Sequence, residues 1–344
     1  MSFVILGDLH AGESDGNLML MDHQLQVLDE VIQYCTDNKI NNIVATGDVF
    51  DVRKSTNTNV LNTWKTRFFD KLKELSINFH TIVGNHDMYY KNAVNPNTIT
   101  QHLLAYENVF IYDIPSKLKI DGTNILMMPW ICSSNYDDCI EALNNKKQFD
   151  AVIGHFEINN VSMGGSICNN GLPQSFFINF KTVISGHFHI KGKYSNIEYV
   201  GTPYEMSWID YNEPKGFHLF DDKLEFIQLD HKLYHRIYYN DEFDLNEKIN
   251  LENKFVKVSI DNRTDFKKYD KFIHAIEQQN PYSLTIIEPL MDLSADDVNM
   301  NFNGDLVVKA TEDLISDYIS ELYPEKYNNL NNLIQNIHQE ARVL

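Results

Sequence analysis

The chain of 344 residues is poor in cysteine: it has four (Cys35, Cys132, Cys139 and Cys168), and no two stand at C-x-x-C spacing. That excludes a disulfide framework and reads as reduced, mostly buried thiols in a cytoplasmic protein, bacterial or of a phage-infected host. No apolar run approaches the roughly 20 residues that a membrane span needs, so no membrane association is expected. The start, Met1-Ser-Phe-Val-Ile-Leu-Gly7, is apolar for only four residues before Asp8 and His10. Lacking a charged leader region and a cleavage site, it reads as a first strand and not as a signal peptide. Positive charge is also scarce: 29 Lys and Arg stand against 48 Asp and Glu, a net charge of −19. This argues against an extended phosphate-binding surface, because cations that neutralise phosphates supply most nucleic-acid affinity. Two things can make up the deficit. Bound metal ions carry charge that a residue count omits, and a basic partner can carry the substrate. No internal repeat is present.

What is there suits a folded enzyme. The apolar share of 43% buries a sizeable core. The length fits one large catalytic domain and one or two small ones. Phe3–Leu6, Asn42–Ala45 and Thr81–Val83 are compact apolar runs, each ending at a glycine turn. Between them lie two amphipathic helices. One carries Leu25, Leu28, Val31, Ile32 and Cys35; the other carries Leu61, Trp64, Phe68, Leu72 and Leu75. This βαβαβ pattern predicts a partly parallel sheet. Later strands are expected at 109–112, 124–128, 151–153, 182–184, 197–200, 217–220 and 224–229. With few helices between the last of them, they predict a second, more antiparallel sheet. The expected fold class is therefore α/β (α+β), with two sheets face to face and helices outside. Beyond about residue 236 a small β-α-β unit is expected to residue 288, then a linker over 289–307. Two amphipathic helices over 308–344 close the chain. Their apolar rows are Leu314, Tyr318 and Leu322, then Leu330, Leu333 and Ile337.

Five short motifs carry the chemistry, each at the end of an expected strand. They are Gly7-Asp8-Leu9-His10, Gly47-Asp48-Val49-Phe50-Asp51, Gly84-Asn85-His86-Asp87, Gly154-His155-Phe156-Glu157 and Gly186-His187-Phe188-His189. The carboxyl ends of strands are where open α/β sheets bind ligands. Asp8, His10, Asp48, Asn85, His155, His187 and His189 form a mixed oxygen and imidazole donor set without thiolates. That set suits Mn²⁺, Fe²⁺ or Zn²⁺ better than Ca²⁺ or an all-oxygen Mg²⁺ site. Seven donors are too many for one ion of ordinary geometry. A carboxylate shared by two ions about 3.5–4 Å apart resolves this. Any one motif alone is a common turn; five in order after apolar runs are not.

This ordered set resembles the calcineurin-like metallophosphoesterase superfamily, over about residues 1–235. The resemblance implies a four-layer αββα sandwich and two divalent ions, with Mn²⁺ expected and Mg²⁺, Fe²⁺ or Zn²⁺ as alternatives. It implies one ion on Asp8, His10, Asp48 and His189, and a second on Asp48, Asn85, His155 and His187. It further implies that His86 is the general acid and that Asp87 orients it; an imidazole held by a carboxylate can keep and give a proton near neutral pH. Gly47–Lys54, Thr81–Asp87 and Tyr199–Tyr204 are similar, more narrowly, to the SbcD-like nucleases, including the recombination nuclease subunit of T-even-type phages. Many cellular members of that family carry a second catalytic histidine where this chain has Asp51, and a direct catalytic role is not expected of this carboxylate.

That narrower resemblance implies a metal-dependent DNA exonuclease, and endonuclease when partnered, within an SbcCD-type complex of DNA recombination, repair and replication. It implies that the unit over 236–288 caps the nuclease domain and that the C-terminal helices bind an SbcC-like ABC-type ATPase. A homodimer within a heterotetramer is the expected assembly. Arg53 and Lys54, with Lys65, Arg67, Lys71 and Lys73, are candidates for a DNA path, although a solvated helix face explains them equally well. The alternative function is a phosphatase or small-molecule phosphodiesterase of the same superfamily, which would need neither cap nor terminal helices.

Overall fold

Short apolar runs become the strands of two six-stranded sheets in the computed structural model. It describes residues 2–145, 149–163, 166–169, 171–221, 223–243 and 249–287. The first sheet has the order Lys223–Gln228, Gly216–Asp221, Phe3–Leu6, Asn42–Ala45, Asn78–Ile82, Val109–Tyr112. Its last four strands run parallel. The second sheet has the order Gly192–Tyr194, Ile197–Tyr199, Thr182–Ser185, Ala151–Gly154, Thr123–Met128, Ser116–Ile120.

Strand alternation packs the sheets face to face. Phe3, Ile5, Val44 and Ile82 of the first meet Ile125, Met127, Ile153 and Ile184 of the second in one dry core. Val4, Leu6, Ile43 and Phe79 point the other way, against Leu25, Leu28, Val31 and Trp64 of the outer helices. On the far side of the second sheet, Leu126, Val152 and Val183 pack against Cys139 and Leu143 of helix Tyr136–Asn144. Helix, sheet, sheet, helix is the four-layer αββα sandwich that the sequence implied.

Three details differ from expectation. The second sheet is not mainly antiparallel: its four central strands are parallel and only its two edge pairs are antiparallel. Parallel neighbours need a crossover, and between Gly154 and Thr182 the chain supplies one with little helix, a single 3₁₀ turn at Gln174–Phe176. The hairpin of Gly216–Asp221 with Lys223–Gln228 completes the first sheet, antiparallel to Phe3–Leu6. The third difference is in the second amphipathic helix. It begins at Thr58, widens into a π-helical turn over Lys65–Phe69 and ends at Glu74. Phe68 and Phe69 of that wider turn are both fully buried. Leu75 is left outside the helix and exposed.

The small β-α-β unit is present. Strands Tyr234–Tyr239, Phe255–Ile260 and Ser283–Ile287 form a parallel sheet. Val256, Val258 and Ile260 lie under Phe272 and Ile276 of helix Phe266–Glu277. Its first strand starts at Tyr234, two residues ahead of the expected boundary. Glu205, fully buried, accepts the backbone N–H groups of Leu233 and Tyr234 and so anchors the joint between sandwich and cap. The linker (289–307) and the terminal helices expected to carry Leu314, Tyr318, Leu322, Leu330, Leu333 and Ile337 lie outside the described residues. Among the described residues no helix is long and apolar enough to cross a membrane.

Candidate metal centre

The five glycine motifs converge because parallel strands of both sheets point their carboxyl ends to one edge of the sandwich. Phe3–Leu6 delivers Asp8 and His10. Asn42–Ala45 delivers Asp48, and Asn78–Ile82 delivers Asn85 and His86. From the second sheet, Ala151–Gly154 delivers His155, and Thr182–Ser185 delivers His187 and His189. Two of the glycines are demanded by the carboxylates themselves. A Cβ on Gly84 would lie 2.2 Å from Asp48 Oδ1, and one on Gly186 would lie 2.3 Å from Asp8 Oδ1. Three donors sit in left-handed backbone: His10 (φ 44°), Asp48 (φ 48°) and His187 (φ 81°). That conformation costs on the order of 1–3 kcal/mol for residues bearing a Cβ, and it collects where geometry serves a ligand.

The donors divide into two groups that share Asp48. His155 Nε2 lies 3.1 Å from Asp48 Oδ2, and His10 Nε2 lies 3.8 Å from the same oxygen. In one group, His189 Nε2 approaches His10 Nε2 at 3.2 Å, and ligand atoms of Asp8, His10 and His189 all fall within 4.8 Å of one another. In the other, Asn85 Oδ1 lies 2.9 Å from His155 Nε2 and 3.2 Å from His187 Nδ1. His155 Nδ1 lies 2.8 Å from the Thr46 carbonyl, which leaves its Nε2 toward the shared carboxylate. Asp8 accepts the backbone N–H of His187 with both oxygens.

The electrostatics favour a cation here. Burial alone would lower the basicity of His10, but the hydrogen bond it donates to Asp51 and the charges of Asp48 and Asp8 outweigh it and raise the ring to about 9. His155 follows the same pattern: burial lowers it, Asp48 and Asp8 raise it, and the result is about 10. Burial would raise Asp48, yet the His155 charge holds its carboxyl well below the usual range. Burial pushes Asp8 up to about 6. Burial lowers His187 to about 3 and His189 to about 4, so both keep a free lone pair at neutral pH. A pocket that binds protons this firmly between neutral imidazoles fits divalent metal ions, which compete with those protons for the same donors.

His86 stands at the rim, its side chain 39% exposed against 2% for His10. Its backbone N–H donates to Asp48 Oδ1 at 2.7 Å, and its ring Nδ1 lies 2.8 Å from the Asp51 carbonyl. With Nδ1 donating there, Nε2 is the ring nitrogen left free. Asp87, to which the resemblance assigned the orienting of His86, does something else. It is fully buried, and its two oxygens accept the backbone N–H groups of Phe50 and Gly84. It thereby locks the loop that presents Asn85 and His86 against the loop that presents Asp48. Burial, with the charge of Asp48, raises its carboxyl to about 7.

Three residues beyond the seven donors, His86 and Asp87 join the site. Asp51 Oδ1 lies 3.0 Å from His10 Nδ1 and 3.7 Å from His86 Nδ1, so one residue holds both rings. Lys215 is buried and donates to the His189 carbonyl at 2.9 Å, to Thr202 Oγ1 at 2.7 Å and to Asp210. It ties the histidine loop of the second sheet to the first sheet. Tyr204, buried, donates its hydroxyl to the Leu9 carbonyl beside His10. The spacing of Gly47-Asp48-Val49-Phe50-Asp51 pointed to Asp51; nothing local to Lys215 did.

Of the other basic candidates, Arg53 and Lys54 follow Asp51 on the same loop. Arg67 and Lys71 are engaged elsewhere, in ion pairs with Asp22 and Asp29 of helix Leu18–Asp37.

Fold and centre together define a metal-binding phosphoester hydrolase. The family model for calcineurin-like phosphoesterases matches residues 1–191, more than half of the chain, and the chain belongs to that family. It is 32% identical over 283 residues to Exonuclease subunit 1 of Enterobacteria phage T4, covering 80% of this chain and 83% of that protein. It is 26% identical over 191 residues to a putative phosphoesterase, 244L, of Invertebrate iridescent virus 6, covering 52% of this chain and 65% of that one. It is 22% identical over 255 residues to the DNA double-strand break repair protein Mre11 of Nanoarchaeum equitans, covering 65% and 67%.

Proposed function

We propose that this chain is a metal-dependent DNA phosphodiesterase, the nuclease subunit of an SbcCD-type complex. One observation carries the substrate class. The likeness to the phage exonuclease subunit spans 283 residues, well past the 191 that the general phosphoesterase family accounts for, and so takes in the cap. A phosphatase of the same fold has no need of that addition.

In this reading Asp8, His10, Asp48 and His189 hold one divalent ion, and Asp48, Asn85, His155 and His187 hold the other. Such ions, Mn²⁺ by donor type, neutralise charge on the phosphoryl oxygens and so lower the barrier to hydrolysis. The protein's own groups do the rest. Hydrolysis adds water across the P–O bond, and the departing sugar oxygen needs a proton. His86, as the imidazolium, gives that proton from Nε2 and is left as the Nδ1–H tautomer that donates to the Asp51 carbonyl. Asp51 and the Thr46 carbonyl hold His10 and His155 so that their free nitrogens face the centre. Asp87 and Lys215 keep the two sheets' loops in register.

The chain's charge of −19 leaves few cations for DNA phosphates. A partner therefore supplies much of the DNA affinity, and the segment over 308–344 is the region proposed to bind an ABC-type ATPase. The test is a cleavage assay on linear duplex DNA and on a phosphomonoester, with Mn²⁺ and with or without that ATPase. Metal-dependent DNA cleavage that the partner stimulates is expected. Rapid phosphomonoester turnover without DNA cleavage would overturn the reading.

A further inference from the structure

Beside the centre, a pocket of about 400 Å³ opens between the loop after Asp51 and the loop after His86. That is within the usual range for small-molecule sites. Arg53, Lys54 and Thr56 line it from the first loop, and Tyr89, Pro96 and His102 from the second. Both loops are firmly seated. Tyr89 lies on strand Met88–Tyr90, which pairs with Ala93–Asn97 as a hairpin. Met88 is fully buried, and Tyr89 beside it is 40% exposed. The hairpin's end is held where Thr98 donates to the Asp87 carbonyl and Asn97 caps helix Thr98–Leu103. On the pocket wall, Thr56 Oγ1 lies 2.8 Å from His102 Nε2.

One lining residue carries a donor without an acceptor. Arg53 Nη1 is shut off from solvent and lacks a hydrogen-bond partner among the described residues. A guanidinium N–H left unsatisfied is costly, so the side chain gains by turning toward an anionic or carbonyl oxygen brought into the pocket. An exposed aromatic face, two cations and an orphan guanidinium donor in an otherwise acidic chain are the elements of a nucleotide site.

We propose that this pocket holds the nucleotide adjoining the scissile phosphodiester on the His86 side, with the base stacked on Tyr89 and its phosphate on Arg53 and Lys54. Arg53 comes two residues after Asp51 and Tyr89 three after His86, so the pocket is built on the two residues that set the rim of the centre. A base within duplex DNA is already stacked and paired. The pocket therefore selects an unpaired base, at a single strand or an opened end. This rests on the nuclease reading and deepens it.

The test compares KM for a single-stranded oligonucleotide with KM for the same oligonucleotide made abasic at the nucleotide beside the cut. It uses the full Mn²⁺-loaded chain, and bis(p-nitrophenyl) phosphate reports on the metal centre alone. The wild-type chain is expected to show a KM about ten-fold lower for the intact strand. Tyr89→Ala should bring the two values together, and Tyr89→Phe should keep them apart. Arg53→Ala should raise KM on both strands, because the phosphate is common to them. Equal KM values in the wild type, or a ten-fold gap that survives Tyr89→Ala, would overturn the pocket and leave the nuclease reading standing. Hydrolysis of bis(p-nitrophenyl) phosphate without cleavage of either oligonucleotide would overturn the nuclease reading and the pocket together.

Discussion

His10 Nδ1 meets Asp51 Oδ1 at 3.0 Å, and the next hydrogen-bonding group of the same aspartate, its carbonyl, meets His86 Nδ1 at 2.8 Å. A buried ligand candidate and a partly exposed candidate proton donor are thus steered by one residue. Removing the carboxylate frees the His10 ring but leaves the carbonyl on His86. Asp51→Ala is therefore expected to weaken Mn²⁺ binding by about 10–100-fold, the usual loss for a group that orients a metal-bound histidine. Calorimetric titration of the metal-free chain measures this. Unchanged affinity would reduce Asp51 to a helper of His86 alone.

His86 makes the opposite prediction. His86→Asn should keep metal content and lower turnover on DNA by roughly 10²–10⁴-fold, the span of general acid catalysis. Elemental analysis alongside steady-state kinetics separates the two effects. Turnover within a few-fold of wild type would remove the general-acid role.

Stability should depend on pH through a histidine outside the donor set. Burial, with the nearby charges of Lys254 and His231, lowers His23 to about 3, and its Nε2 is buried without a partner among the described residues. The unfolded chain takes up that proton near pH 6.5, long before the folded chain does. The stability owed to a neutral His23 is thus complete above about pH 6.5 and falls away as pH drops toward 3, by at most about 1.4 kcal/mol per pH unit. His23→Leu should therefore unfold at a urea concentration less sensitive to pH between 7 and 5 than the wild type does. An identical pH slope in both proteins would contradict this.

How much could be read in advance follows physical lines. The strands at Phe3–Leu6 and Asn42–Ala45 were legible because buried parallel strands are continuous apolar runs. The donors were legible because each motif is local and ends such a run. Asn78-Phe79-His80 was missed as the start of its strand because His80 is polar, although its ring is buried against Phe110 and bonded to Tyr112 and Asn42. Ser116–Ile120 was missed because an edge strand exposes Lys117 and Lys119 and carries little apolar signal. Which residue orients His86 could not be read at all. Asp87 is the neighbour in sequence, but the tight turn at Gly84 sends its side chain inward, and Asp51 arrives from another strand. Lys215 was hidden for the same reason: its partners, His189, Thr202 and Asp210, come together only when the final hairpin closes the first sheet.

The central claim is that two ions sharing Asp48 carry out DNA hydrolysis. The most direct measurement counts manganese per chain and DNA cleavage together, in the wild type and in Asp48→Ala. The account predicts two ions and cleavage in the wild type, and loss of both ions and of cleavage in the variant. An Asp48→Ala chain that keeps one fully occupied ion and normal cleavage would contradict it.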